Sequence, residues 1–122
     1  MHVFVEELGV DASEELDELD ALATQIVALD DSGVIATCRL RDVGEGTWKL
    51  ERMAVEARLR KLGVGATLLA GAEEEARAEG AREMLLHAQR RAEAFYAANG
   101  YVAEGETFVE AEIEHIAMRK AL

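Results

Sequence analysis

Arg60-Lys61-Leu62-Gly63-Val64-Gly65-Ala66 joins an apolar, strand-like segment, Leu50 to Val55, to an apolar-periodic helix that begins near Val64. Two glycines in such a turn let the backbone approach a ligand with no Cβ in the way. The free N–H groups of the helix's first turn then point at whatever sits there. An anion, and a phosphate above all, suits that position. The spacing Arg-x-x-Gly-x-Gly fits a plain strand-to-helix connection equally well, so its meaning depends on the rest of the chain.

The rest of the chain is acidic: 25 Asp and Glu stand against 13 Lys and Arg, a formal net charge of -12. Nucleic acid and anionic membrane are disfavoured as partners, because binding a polyanion requires a basic face that displaces its counterions. The few cations are clustered. Arg58, Arg60 and Lys61 fall beside the glycine turn, and Arg90 and Arg91 fall together at the start of a later helix. Each group is either a solvated helix end or part of a site for a multiply phosphorylated ligand. Acidity with mostly Arg among the bases and no proline also fits a salt-rich cytosol or a high-GC genome, so composition speaks of habitat more than chemistry.

With 122 residues, 50% of them hydrophobic, the chain reads as one domain over 1–122 that buries a single core without disulfide or metal staples. The sole cysteine, Cys38, cannot form an internal disulfide. No stretch is long and apolar enough to span a bilayer or serve as a signal peptide, which places the chain in a reducing, cytoplasmic compartment. The three histidines and the carboxylates show no ligand spacing that stands out, and no metal is expected.

Along the chain, Met1 to Val10 reads as the end of a helix, followed by an acidic segment from Ser13 to Asp20 with Ser13 as an N-cap. Ala23 to Leu29 and Val34 to Leu40, separated by Asp30-Asp31-Ser32-Gly33, read as an antiparallel hairpin. A third strand, Trp48 to Val55, follows Gly44-Glu45-Gly46. Gly63 to Glu79 carries Val64, Leu68, Leu69, Ala72 and Ala76 at helical spacing and ends at Gly80. Glu83 to Ala88 reads as a buried strand and Arg90 to Ala98 as a helix closed by Asn99-Gly100. Tyr101 to Ala103 and Ile113 to Met118 supply the last two strands. The strand before the glycine turn and the strand after the long helix form a crossover and should lie parallel, with ligands beyond their carboxyl ends.

Leu50-Glu51-Arg52-Met53-Ala54-Val55, then Arg60-x-x-Gly63-x-Gly65-Ala66, then Leu86-His87-Ala88-Gln89-x-x-Ala92-x-x-Phe95-Tyr96-x-x-x-Gly100-Tyr101 together resemble the GNAT superfamily of acetyl-CoA-dependent N-acyltransferases. The tail Phe108-x-Glu110-Ala111-x-Ile113-x-His115-Ile116-x-Met118 and the head Val3-Phe4-Val5-Glu6-Glu7 look like a small bacterial and archaeal subgroup. The resemblance covers nearly the whole chain. It implies an α/β (α+β) fold with a mixed, mostly antiparallel sheet flanked by helices. The family's first strand is missing from the sequence as read, which leaves a bare sheet edge and makes a covering homodimer plausible.

The resemblance further implies acetyl-CoA as co-substrate and an amine, small-molecule or peptide, as acceptor. The amides of Leu62, Gly63, Val64, Gly65 and Ala66 would hold the pyrophosphate, with Arg60 and Lys61 adding charge. The strand edge at Met53, Ala54 and Val55 would pair with the pantetheine, and Gln89 stands where the family often has Asn. Tyr96 falls where many members carry the tyrosine that protonates the departing thiolate; without the family it reads as packing with Phe95 under the sheet. Glu51 is the first candidate for proton removal from the amine, against an exposed strand carboxylate, since one residue of register decides its face. His87, Glu110 and His115 are the runners-up. Cys38 lies in the hairpin without a basic partner, so direct transfer is preferred to an acyl-cysteine. An acidic cleft would favour a cationic acceptor such as a polyamine or amino sugar. The rival functions are a non-catalytic acyl-CoA-binding module and a nucleotide-binding crossover domain.

Overall fold

The computed structural model describes residues 3–8 and 23–122. Seven strands and two α-helices follow one another: β1 (Phe4–Leu8), β2 (Ala23–Asp30), β3 (Gly33–Gly44), β4 (Thr47–Val55), α1 (Val64–Ala78), β5 (Glu83–Gln89), α2 (Glu93–Ala98), β6 (Val102–Glu110) and β7 (Ile113–Ala121). Single 3-10 turns, Ala57–Leu59 and Arg90–Ala92, precede the two helices. One sheet takes all seven strands in the order β1-β2-β3-β4-β5-β7-β6. Every pairing is antiparallel except β4 with β5, the crossover expected around α1.

The local chemistry explains these elements. The turn after β2 closes because the Asp30 carboxylate accepts hydrogen bonds from the Ser32 N–H and hydroxyl, leaving Gly33 to take φ 114°. The next turn, Gly44-Glu45-Gly46, needs three positive φ values. It also fixes β5, since the Gly46 carbonyl accepts the N–H groups of Arg82 and Glu83 at 2.7 and 3.2 Å. In α1 the buried positions Val64, Leu68, Leu69, Ala72, Glu73 and Ala76 form one stripe. That stripe packs on the strands beneath it with Leu40, Leu50, Met84, Leu86 and Met118. Gly71 lets the helix close on β1, because a Cβ there would lie 2.5 Å from Val5 Cγ1.

Three expectations change. The span read as a helix end, Met1 to Val10, contains β1 at Phe4–Leu8, whose every residue pairs with β2. Alternation was masked there by Val3, Phe4 and Val5 standing in a row. β1 thus takes the place beside β2 and is itself the terminal strand of the described sheet. The strand read as Tyr101 to Ala103 continues to Glu110, through an irregularity between Glu104 and Phe108. Its hairpin with β7 turns on Ala111 and Glu112, both at positive φ (51° and 63°), with none of the Gly or Asn that usually mark such a turn. The helix read as Arg90 to Ala98 is a 3-10 turn running into α2. The acidic segment with Ser13 as N-cap lies outside the described residues. No helix of the described residues is long and apolar enough to cross a membrane.

A buried polar network ties α1 to the far end of the chain. Glu73, 7% exposed, accepts a hydrogen bond from the Tyr101 hydroxyl at 2.8 Å and pairs with Lys120 Nζ at 2.9 Å. Nothing in the helical stripe of small and apolar residues pointed to it. Removing the carboxylate strands a cation and a phenol in a poorly hydrated place. Glu73→Ala should lower the unfolding free energy in urea by about 3 kcal/mol, the low end for a broken buried pair, because Lys120 keeps partial solvent access. Cys38, 1% exposed in β3, has its thiol pushed up to about 12 by burial. It should resist thiol reagents at pH 8 in the native protein and react at once in denaturant.

Candidate active site

β4 and β5 pair only from Thr47↔Glu83 to Leu50↔Leu86. Beyond that point β4 runs on to Val55 while pairing with β3, and β5 runs on to Gln89 while pairing with β7. The two strands part and leave a fork in the sheet. The parting begins at a β-bulge: between Thr37↔Ala54 and Arg39↔Glu51, β4 uses three residues where β3 uses two, and Arg52 takes φ 56°. A bulge kinks its strand and re-aims the side chains after it, a device common beside ligand sites. Here it swings Glu51 through Val55 away from β5.

A cleft of about 970 Å³ fills the fork. On the side of the helices its wall includes Met53, Gly65, Phe95 and Tyr96; farther along are Arg60, Lys61 and Arg91; on the other side are Lys49, Glu51, His87, Glu110 and His115. Leu86 and Ala88 face the core, so strand alternation turns His87 and Gln89 to the opposite face. Five basic side chains (Lys49, Arg52, Arg60, Lys61, Arg91) against two carboxylates line the cleft, in a chain of net charge -12. The described walls are thus basic, and the acidic cleft invoked for a cationic acceptor is not what they form.

The glycine turn is built for an anion. Gly63 caps α1 at φ 81° with no side chain bonded to the helix end, and the first helical bond runs from Thr67 N–H to the Gly63 carbonyl at 3.0 Å. The N–H groups of Val64, Gly65 and Ala66 therefore precede the helical ladder. Buried Leu59 anchors the approach, and Lys61 adds a second left-handed residue at φ 74°. Gly65 makes room for the side chains beside it, since a Cβ there would lie 3.2 Å from Phe95 Cζ and 3.5 Å from Met53 Cε. Leu62 and Val64 lie outside the cleft wall, and Val64 is buried in the core, so both can contribute only main chain; the Leu62 N–H already donates to the Leu59 carbonyl at 3.3 Å.

Of the clustered cations, Arg60 and Lys61 line the cleft, Arg60 through a hydrogen bond from Nε to the Val55 carbonyl at 3.2 Å. Arg58 turns away to Glu56 and to the Ser32 hydroxyl at 3.0 Å. Arg91 lines the cleft, whereas Arg90 is engaged by Glu93 and Glu114. Met53, Ala54 and Val55 lie on the edge of β4 that faces the fork, and Gln89 closes its far wall.

Tyr96 projects from α2 into this wall, buried, with Phe95 and Tyr101 edge-on at 5.1 and 5.9 Å. Both readings of the residue thus meet in one place. Its hydroxyl donates to Met53 Sδ at 3.4 Å, a weak acceptor. Burial, with the nearby Cys38 second, pushes the phenol up to about 12, so it keeps its proton throughout the neutral range.

Glu51 also lines the cleft, inside a cluster absent from the sequence reading. Arg39 and Arg41 approach its carboxylate at 2.8 and 2.9 Å, with Lys49 at 3.7 Å. Burial alone would raise its pKa, but hydrogen bonds from Arg41 and Arg39 and their charges outweigh burial and hold it below the usual carboxylate value. The runners-up come together instead. His87 Nδ1 lies 3.0 Å from Glu110 Oε2, and the His87 ring meets Phe108 edge-on at 4.9 Å. Phe108 in turn stacks near His115, whose Nδ1 lies 2.7 Å from the Ile113 carbonyl. The hidden extension of β6 carries both Phe108 and Glu110, which is why the sequence reading could name these residues but not unite them.

Comparison with known proteins agrees with this architecture. Residues 4–122 match the family described as Acetyltransferase (GNAT) domain. The Bacillus subtilis N-acetyltransferase YjcF is 38% identical over 119 residues, covering 97% of this chain and 84% of its own. An acyl-CoA N-acyltransferase from Pseudomonas aeruginosa superposes with a TM-score of 0.74 at 32% identity, over 88% of this chain and 76% of the other. A GNAT family acetyltransferase from Elizabethkingia anophelis with acetyl-CoA bound superposes at 0.80, with 15% identity over 98% of both chains. A mixed, mostly antiparallel fold is thus shared with these proteins, and the chain belongs to the GNAT acetyltransferase family.

Proposed function

We propose that the chain transfers an acetyl group from acetyl-CoA to an amine by direct attack, with Tyr96 as the acid that receives the departing sulfur. The observation that carries this reading is the cleft itself, whose walls hold both the uncapped amides at the start of α1 and the Tyr96 hydroxyl. The amides from Leu62 to Ala66, with Arg60 and Lys61, would take the diphosphate. The diverging edge of β4 at Met53, Ala54 and Val55 has main-chain groups that β5 no longer meets, and a pantetheine arm with its two amides supplies partners for such an edge. Gln89 would bond the same arm from the far wall.

Attack of a neutral amine on the thioester carbonyl gives a tetrahedral intermediate; its collapse forms the amide and breaks the C–S bond. The sulfur leaves with the electron pair and takes the phenolic proton of Tyr96. A phenol near 12 is a weak acid toward an ordinary thiolate. Burial that keeps the phenol neutral also disfavours a free thiolate in the same place, so the proton would move to the sulfur as the C–S bond breaks. The Met53 thioether would give way to the incoming sulfur at little cost.

For Glu51 the proposal is a positioning part: ionised at neutral pH, it holds Arg39, Arg41 and Lys49 along the acceptor side of the cleft. A carboxylate with lowered pKa has little affinity for an amine's proton, which makes it a weak base.

Three variants and one binding outcome test these assignments. Tyr96→Phe should cut acceptor-dependent thiol release by about 100-fold while leaving the calorimetric Kd for CoA within twofold; unchanged turnover would remove Tyr96 from the mechanism. CoA binding without thiol release across a broad amine panel would identify a binding module. Gly63→Ala has open space for its methyl but must keep φ 81°. It should cost about 1 kcal/mol of stability and weaken CoA binding through a distorted helix mouth. Glu51→Gln should destabilise the fold by about 2 kcal/mol at pH 7. Because the folded pKa lies below the unfolded one, this contribution is complete above about pH 5 and fades as pH falls through the lowered value. The unfolding free energies of the two proteins in urea should therefore draw together as pH falls below the usual carboxylate range.

A further inference from the structure

We propose that His87, oriented by Glu110, is the base that removes the proton from the acceptor amine; this rests on the acyl-transfer reading above. His87 is the first residue of β5 beyond the last pair with β4, so it stands at the opening of the fork. Its Nδ1 faces the Glu110 carboxylate at 3.0 Å. An ionised carboxylate only accepts, so Nδ1 carries the hydrogen and Nε2 presents its lone pair. Phe108, edge-on at 4.9 Å, restrains the ring. The arrangement is an imidazole whose tautomer and direction are both set by a carboxylate, inside the cleft that holds Tyr96 on its opposite wall.

The other candidates on this face are less suited. Glu51 is held by three cations. His115 has its Nδ1 on a neutral carbonyl and lies against the Phe108 ring. The titratable and charged groups that share this face with His87 are Lys49 and Glu51 from β4, Glu83 from β5, Glu104 and Glu110 from β6, and His115 and Arg119 from β7; Arg39 and Arg41 of β3 are engaged on Glu51, and Arg119 is engaged by Glu83 and Glu104.

The proton balance is complete without another reactant. His87 Nε2 takes one proton from the alkylammonium and passes it to solvent. The freed amine attacks, and the nitrogen loses a second proton as the amide forms, which restores the one that Tyr96 gives to sulfur. One proton is released per amide made. Glu110 touches no reacting atom and acts as a positioning residue. Its place at the end of β6, beside the left-handed Ala111 and Glu112, shows a strained turn holding it there.

The test uses the whole chain with acetyl-CoA and three amine probes: putrescine, glucosamine and glycinamide. At pH 7 and saturating acetyl-CoA, His87→Gln should lower kcat by about 100-fold with the Kd for CoA unchanged, and it should change the shape of the dependence of kcat on pH. Glu110→Gln should lower kcat about tenfold and leave KM for acetyl-CoA within twofold, with the pH profile displaced. Nitrogen-15 imidazole spectra of the CoA complex should show His87 protonated on Nδ1, shifting toward Nε2 in Glu110→Gln; this decides the matter if none of the three amines is turned over. A His87→Gln protein within threefold of the parent, a loss confined to His115→Gln, or a His87 ring protonated on Nε2 in the parent would overturn the proposal. Failure of the parent chain to bind CoA would instead overturn the acyl-transfer reading.

Discussion

A sheet strand that loses its neighbour must find other partners for its N–H and C=O groups. Past Leu50 and Leu86 the two parallel strands meet no more, because the bulge at Arg52 turns β4 outward while β7 keeps β5 in line. Everything chemical in the molecule gathers around that gap. α1 begins beside it, α2 delivers Tyr96 to one wall, and the outer hairpin delivers Glu110 to the other. A sheet paired without interruption from these residues would have the same core and no place for a ligand.

Charge is partitioned accordingly. The exterior is strongly acidic, yet the cleft wall is basic, and the carboxylates that remain there are committed to arginines or to an imidazole. Burial raises both the Tyr96 phenol and the Cys38 thiol, so both keep their protons in the neutral range. Polarity is also used for construction, as Glu73, Tyr101 and Lys120 join three distant parts of the chain.

Local signals in the sequence were legible where a residue type forces a conformation. Gly63 and Gly65 marked the helix mouth, Asp30 through Gly33 the hairpin, and the spacing of Val64, Leu68, Leu69, Ala72 and Ala76 the face that α1 buries. Features that depend on tertiary pairing were not. The bulge at Arg52 has no glycine to announce it, and the cluster around Glu51 exists only once β3 lies beside β4. β6 looked short because Glu104 through Thr107 are polar or glycine and exposed, with no alternation, and because its turn lacks the usual residues. β1 was hidden by its run of neighbouring apolar side chains. The candidate site was therefore readable as a set of residues, while the partnership of His87 with Glu110 across two strands was not.

That unconventional turn also bears on how the sheet assembles. Alanine and glutamate in left-handed conformations give an isolated β6–β7 hairpin no encouragement to form. β7 instead pairs with β5 along seven consecutive residues, from Glu83↔Ala121 to Gln89↔His115. Strand β6 has β7 as its one partner in the described sheet, so the place of its reversal is held by that pairing and not by turn residues. The wall bearing Glu110 therefore depends on the docking of a single strand.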